Sequence, residues 1–110
     1  MRRAGALALL LSGLPAVGWA EARVGLRSGD HAGHGRIVFD TPGRLDYRVE
    51  EQPGRILLRF VQPAAVDPGT LRRAPRNAAA VEAVEGGVAI AVGPGVRARH
   101  FRLDGRVVLD

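Results

Sequence analysis

The chain has 110 residues and a formal net charge of +5, and every one of its cations is an arginine. It contains no cysteine, which excludes a disulfide framework and a lipid-modified cysteine, so its stability must come from an apolar core. The length that remains after a leader is removed, about ninety residues, suits one small domain burying roughly two-thirds of its unfolded surface.

The first element is a leader. Met1-Arg2-Arg3 is a positive n-region, the apolar run that follows is broken by Gly13 and Pro15, and small residues stand at Gly18, Ala20 and Ala22. This is the pattern of a signal peptide over residues 1–20, cleaved after Ala20 or after Ala22. The run is shorter and more interrupted than the ~20 residues that span a bilayer. The expectation is therefore an exported, periplasmic protein with no stable membrane anchor. Loss of Arg2 and Arg3 lowers the charge from +5 to +3, or to +4 if Glu21 leaves as well. A mature chain this mildly basic gives no reason to expect nucleic acid as a partner.

The segment Ser28-Gly-Asp-His-Ala-Gly-His-Gly35 comes next, with His31 and His34 three residues apart beside Asp30. That spacing converges on a metal only in a helix, which Gly29, Gly33 and Gly35 disfavour. Acid–base catalysis would need a nucleophile or a held water, and no such set accompanies the histidines. The segment reads as a flexible loop leading into a strand. No catalytic residue, metal ligand or cofactor is expected.

Arg36 to Asp40 alternates, with Ile37 and Phe39 on one face. Thr41-Pro-Gly-Arg44 is a turn, and Leu45 to Glu50 alternates again, with Leu45, Tyr47 and Val49 on one side. Gln52-Pro-Gly54 turns the chain into Arg55 to Phe60. These segments read as a three-strand meander. From Val61 to Ala80 proline, alanine and arginine interrupt the pattern, so a loop is expected there with one short helix from Thr70 to Ala74, stopped by Pro75. Strands resume at Val81–Glu85, Val88–Val92 across a Gly86-Gly87 turn, Arg97–Leu103, and Arg106–Leu109. Ala22 to Leu26 is a further candidate. The expected core is Ile37, Phe39, Tyr47, Val49, Ile56, Leu58, Phe60, Val88, Ile90, Phe101, Leu103 and Val107.

The two halves repeat. Gly35 to Gly43 lies over Gly87 to Gly95, Tyr47-Arg-Val-Glu50 over Phe101-Arg-Leu-Asp104, and Gly54 to Leu58 over Gly105 to Leu109. Two similar meanders suggest two related antiparallel sheets packed face to face. The fold class expected is thus all-β, a small sandwich with at most one short helix in the central loop.

The stretch from Val24 to Phe60, with Arg-Ile-Val-Phe-Asp and its proline-containing turn, resembles the first half of the AMIN domain, and Gly87 to Asp110 supplies the second half. The resemblance implies a single β-sandwich over residues 21–110, placed as the front module of a longer exported protein and used to hold it at the cell wall by contact with peptidoglycan. Gly35 departs from the family, which commonly has threonine there.

The candidate ligand-binding residues are Arg36, Arg48, Arg55 and Arg59 on the polar side of the first strands, and Arg97, Arg99 and Arg102 in the second half. Peptidoglycan stems end in carboxylates, and the planar guanidinium fork pairs with a carboxylate at two points. Two readings compete for these arginines: a binding face, or a solvated surface paired with Asp40, Asp46 and Glu50. The expected partner is peptidoglycan or an envelope protein that adds a strand to an exposed sheet edge.

Overall fold

A computed structural model describes residues 21–110. The expected signal peptide lies outside the described residues, and among them no helix is long and apolar enough to cross a membrane. They form β1 (Ala22–His31), β2 (His34–Asp40), β3 (Tyr47–Gln52), β4 (Arg55–Phe60), β5 (Ala64–Asp67), β6 (Ala78–Val84), β7 (Gly87–Val92), β8 (His100–Leu103) and β9 (Arg106–Leu109). One sheet has the order β5-β1-β2-β9-β8 and the other β3-β4-β7-β6. The fold is the all-β sandwich of two related sheets, with a 3-10 turn at Pro68–Thr70 as the helical element among the described residues.

The inner faces hold the core. Val24, Leu26, Ile37, Phe39, Val107 and Leu109 from the first sheet meet Ile56, Leu58, Phe60, Val88 and Ile90 from the second. Alternation selects these residues, because successive side chains on a strand point to opposite faces.

The meanders do not each build a sheet. β2 pairs with β9 and β4 pairs with β7, so each half of the chain gives one hairpin to each sheet. The reason lies in the link between Asp40 and Tyr47. It is too long for a tight hairpin, carries Pro42, and buries Leu45 as it passes from one sheet to the other. The strand expected from Leu45 accordingly begins only at Tyr47.

Order β1-β2-β9-β8 in one sheet matches β6-β7-β4-β3 in the other, which is an internal twofold repeat. Ile37 faces Leu109 as Val88 faces Leu58, and Phe39 faces Val107 as Ile90 faces Ile56. Ile37 therefore corresponds to Val88, one residue away from the match that the Gly-Pro-Gly turns suggest. The same register sets Arg102 opposite Val107 on the inward side of β8. Phe101 and Leu103 face outward, and Leu103 is 49% exposed. Both were expected in the core. The match of Tyr47-Arg-Val-Glu50 with Phe101-Arg-Leu-Asp104 is three residues out of the observed register, in which Val49 corresponds to His100, and a shift by an odd number of residues exchanges the two faces.

The central loop also holds more structure than its composition suggests. Ala64–Asp67 pairs with Ala22–Gly25 in parallel, between Pro63 and Pro68, which hide the strand from pattern reading. The helix expected from Thr70 to Ala74 is absent. Its place is taken by the turn at Pro68–Thr70, where the Asp67 carboxylate accepts from the Gly69 N–H at 2.9 Å and the Leu26 N–H donates to the Thr70 hydroxyl at 2.7 Å. In the last part of the chain the strand expected from Arg97 starts at His100.

Candidate functional site

The glycine-rich segment with the two histidines is the tip of a β-hairpin. β1 and β2 stay paired as far as His31 opposite His34, and Gly33 takes φ +82° in the turn. By register this hairpin projects two residues further than its counterpart β6–β7, which ends with Val84 opposite Gly87. The imidazole rings stack with centroids 5.1 Å apart. Among the described residues no group of three or more histidine, aspartate or glutamate side chains is placed to hold a metal ion.

Asp30 is a latch. It accepts from the Arg76 backbone N–H at 2.7 Å and lies 3.3 Å from the Arg73 guanidinium, while the Ser28 hydroxyl donates to the Arg73 carbonyl at 2.9 Å. Gly35 lets this happen: a Cβ there would sit 2.3 Å from the Arg76 carbonyl oxygen. A larger residue such as threonine has no room at this position. Among the described residues the threonine hydroxyls are also committed to backbone, Thr41 donating to the Gly105 carbonyl at 2.9 Å and Thr70 to the Leu26 carbonyl at 3.1 Å.

The seven candidate arginines occupy four places. Arg36, on the outer face of the first sheet, donates through Nε and Nη2 to both oxygens of Asp110, at 2.6 and 2.8 Å. Its guanidinium also lies over the Phe101 ring, 5.6 Å from the centroid. Arg102 turns inward at the seam between the sheets, where it donates to the Leu45 carbonyl and stacks 5.1 Å over Tyr47. Beside it the Tyr47 hydroxyl is 2.8 Å from His100 Nδ1. These two arginines hold the fold together.

Arg97 and Arg99 lie at one end of the sandwich. Arg97 is 3.5 Å from Glu51, and the Arg99 backbone exchanges both hydrogen bonds with Asp110.

Arg48, Arg55 and Arg59 share the outer face of the second sheet. Arg48 stands directly opposite Arg59, and neither forms an ion pair among the described residues. The acid lining the hollow, Glu50, accepts a hydrogen bond from Gln52 at 2.9 Å. Arg48, Glu50, Arg59, Phe60 and Val61 surround a hollow of about 390 Å³ floored by the buried Leu57. Like charges placed directly opposite each other destabilise a ladder, by an amount within the 0.2–1 kcal/mol range typical of cross-strand pairs.

The internal repeat gives this pair a meaning. Arg48 pairs with Arg59 as Arg99 pairs with Asp110, and Arg59 faces Gly87 as Asp110 lies beside Arg36. Where the first sheet places a carboxylate and a guanidinium, the second places Arg59 and a bare glycine. One sheet satisfies its arginine internally. The other presents two arginines with no carboxylate paired to them, the neighbouring Glu50 accepting from Gln52 instead.

The first sheet's outer face is an ion lattice. Asp40 accepts from Arg27 at 2.7 and 2.9 Å and from Arg106 at 3.1 Å. Hydrogen bonds from Arg27 hold the Asp40 carboxyl below the usual carboxylate range, those from Arg36 do the same for Asp110, and the Arg76 N–H does so for Asp30. A carboxylate with a depressed folded pKa contributes stability that is complete above its unfolded value and is lost as pH falls through the folded one. Urea melts are therefore expected to give constant stability from pH 7 down to about 5 and a decline below about pH 4. Asp110→Asn should flatten that decline, and an undiminished slope in this variant would contradict the Arg36–Asp110 fork.

No family model matches the chain, and no curated protein or solved structure matches it.

Among the residues that matter here, sequence reasoning missed Gly87, Asp110 and Arg76. The pairing of Arg48 with Arg59 was within reach. The two-residue Pro53-Gly54 turn sets Gln52 opposite Arg55, and counting back from it sets Arg48 opposite Arg59.

Proposed function

We propose that the chain is a non-catalytic, AMIN-like module that places an exported protein at the cell wall of the periplasm by taking peptidoglycan carboxylates on the outer face of its second sheet. The observation that carries this reading is the unpaired Arg48–Arg59 couple beside Gly87. An external carboxylate there takes the part that Asp110 plays for Arg36 in the other sheet. The leader-like first twenty residues and the resemblance of the two halves to an envelope module agree with it.

Sedimentation with purified peptidoglycan tests the reading. Residues 21–110 contain both sheets and the core, and they are expected to pellet with the wall material, less so as salt rises. Arg48→Ala/Arg59→Ala should weaken retention about tenfold, the scale of losing charge-assisted hydrogen bonds. Both arginines are exposed, so the variant should melt no earlier than wild type. Absence of pelleting at any salt rejects the proposal.

A second reading rests on β6. It is an edge strand of seven residues with Ala79, Ala80 and Ala83 exposed, and Glu82 is its single charge. Such an edge can accept a partner strand. That reading predicts capture of an envelope protein with no retention on bare peptidoglycan.

A further inference from the structure

The two sheets part at the end of the sandwich next to the His31–His34 hairpin, leaving a cleft of about 580 Å³. Its floor is Ile37, Ile56, Ile90 and Leu109, all buried core residues. Each wall has its backbone fixed by hydrogen bonds. Asp30 holds the Arg76 N–H on one side, and the Arg99–Asp110 pair holds the other. The cleft is thus formed before anything enters it, as binding sites usually are.

We infer that this cleft binds a single hydrocarbon chain ending in an anionic group, a fatty-acid-like carboxylate, with the chain on the isoleucine and leucine floor and the head at the arginine rim. Two observations select this ligand. The floor itself is aliphatic, Ile37, Ile56, Ile90 and Leu109, and offers no side-chain partner for an amide, the buried His34 Nε2 and the Asp110 carboxylate standing at its edge. A peptide lying there would leave its N–H and C=O groups unpaired, at about 1–3 kcal/mol for each. A hydrocarbon chain carries no such penalty and gains the burial.

The rim selects the charge. Arg76, Arg97 and Arg99 are exposed and line the opening, and the carboxylate among the lining residues, Asp110, is already gripped at both oxygens by Arg36. Glu51 offsets Arg97 in part, from the surface, at 3.5 Å. An excess of guanidinium remains at the mouth, suited to one carboxylate. This site is separate from the Arg48–Arg59 hollow and stands whether or not that hollow binds the wall.

The test is a methyl-resolved NMR titration of residues 21–110 with decanoate, decanol and decyltrimethylammonium. Decanoate is expected to shift the methyls of Ile37, Ile56, Ile90 and Leu109 in a saturable way, with decanol weaker and the cation without effect. Arg76→Gln/Arg97→Gln/Arg99→Gln should weaken decanoate about tenfold and leave decanol unchanged. Arg48→Ala/Arg59→Ala should bind decanoate as wild type does, which separates this site from the proposed wall-binding face. Equal binding of the cation, shifts spread over the outer faces instead of the floor, or displacement of decanoate by trialanine would overturn the inference.

Discussion

Phe39→Ser is expected to leave the domain largely unfolded. Phe39 is 0% exposed and meets Phe60 edge-on across the two sheets at 6.0 Å. It also sits on β2, between Leu26 of β1 and Val107 of β9, so its ring contacts strands from both halves of the repeat. Removing a buried ring costs about 3–5 kcal/mol, and a serine hydroxyl without a partner adds about 1–3 kcal/mol. A small domain without a disulfide stands near the lower end of the usual 5–15 kcal/mol, so the loss takes most of its stability. Circular dichroism and urea melts should show a collapsed or absent transition. Phe39→Leu, which keeps the apolar volume in part, should retain a cooperative transition at a lower midpoint. A wild-type melt for Phe39→Ser would mean that the β2 register is wrong.

Sequence pattern reached the strands wherever alternation is strong and unbroken. Ile37 and Phe39, and Ile56 and Leu58, declare their face because each neighbours an arginine or another outward residue. Assignment of strands to sheets was out of reach, since the contacts of β2 with β9 and of β4 with β7 join residues far apart in sequence. Phe101 and Leu103 were misplaced for a related reason. Tyr47-Arg-Val-Glu50 and Phe101-Arg-Leu-Asp104 look alike, yet the observed pairing sets Glu50, not Tyr47, in the place of Phe101. The first and last strands of the core, including Val24, Leu26 and Leu109, extend it beyond what the meanders alone supply.

The candidate site divides along the same line. Arginine on the polar side of a strand is legible in sequence, whereas the partner that claims it is not. Arg36 and Arg102 were read as ligand-binding candidates, yet their guanidinium groups are occupied by Asp110 and by the Leu45 carbonyl and Tyr47 ring. Asp110 is 74 residues away from Arg36, so no local signal announces the pair. What the sequence does show is the glycine doublet at Gly86-Gly87, where only the first residue was needed for a turn.

That second glycine carries the other large effect: Gly87→Ala is expected to disrupt the centre of the second sheet. Gly86 supplies the turn, at φ +76°. Gly87 begins β7, opposite Arg59 on β4 and Val84 on β6. A Cβ on Gly87 would lie 1.9 Å from the Leu58 carbonyl oxygen and 2.8 Å from the Arg59 Cα. Both are backbone atoms, and Leu58 is itself fully buried, so β4 cannot retreat without dragging the core with it. The cost should exceed the roughly 1–3 kcal/mol of ordinary overpacking. Gly86→Ala meets nothing closer than 3.8 Å and should cost only about 1 kcal/mol, for its positive φ. Urea melts of the two variants should therefore differ widely although the residues are adjacent. The displaced β4 would also carry Arg59 away from Arg48, so any Gly87→Ala protein that remains folded should lose retention on peptidoglycan. Equal melts for the two variants would show that β4 and β7 do not approach this closely at Gly87.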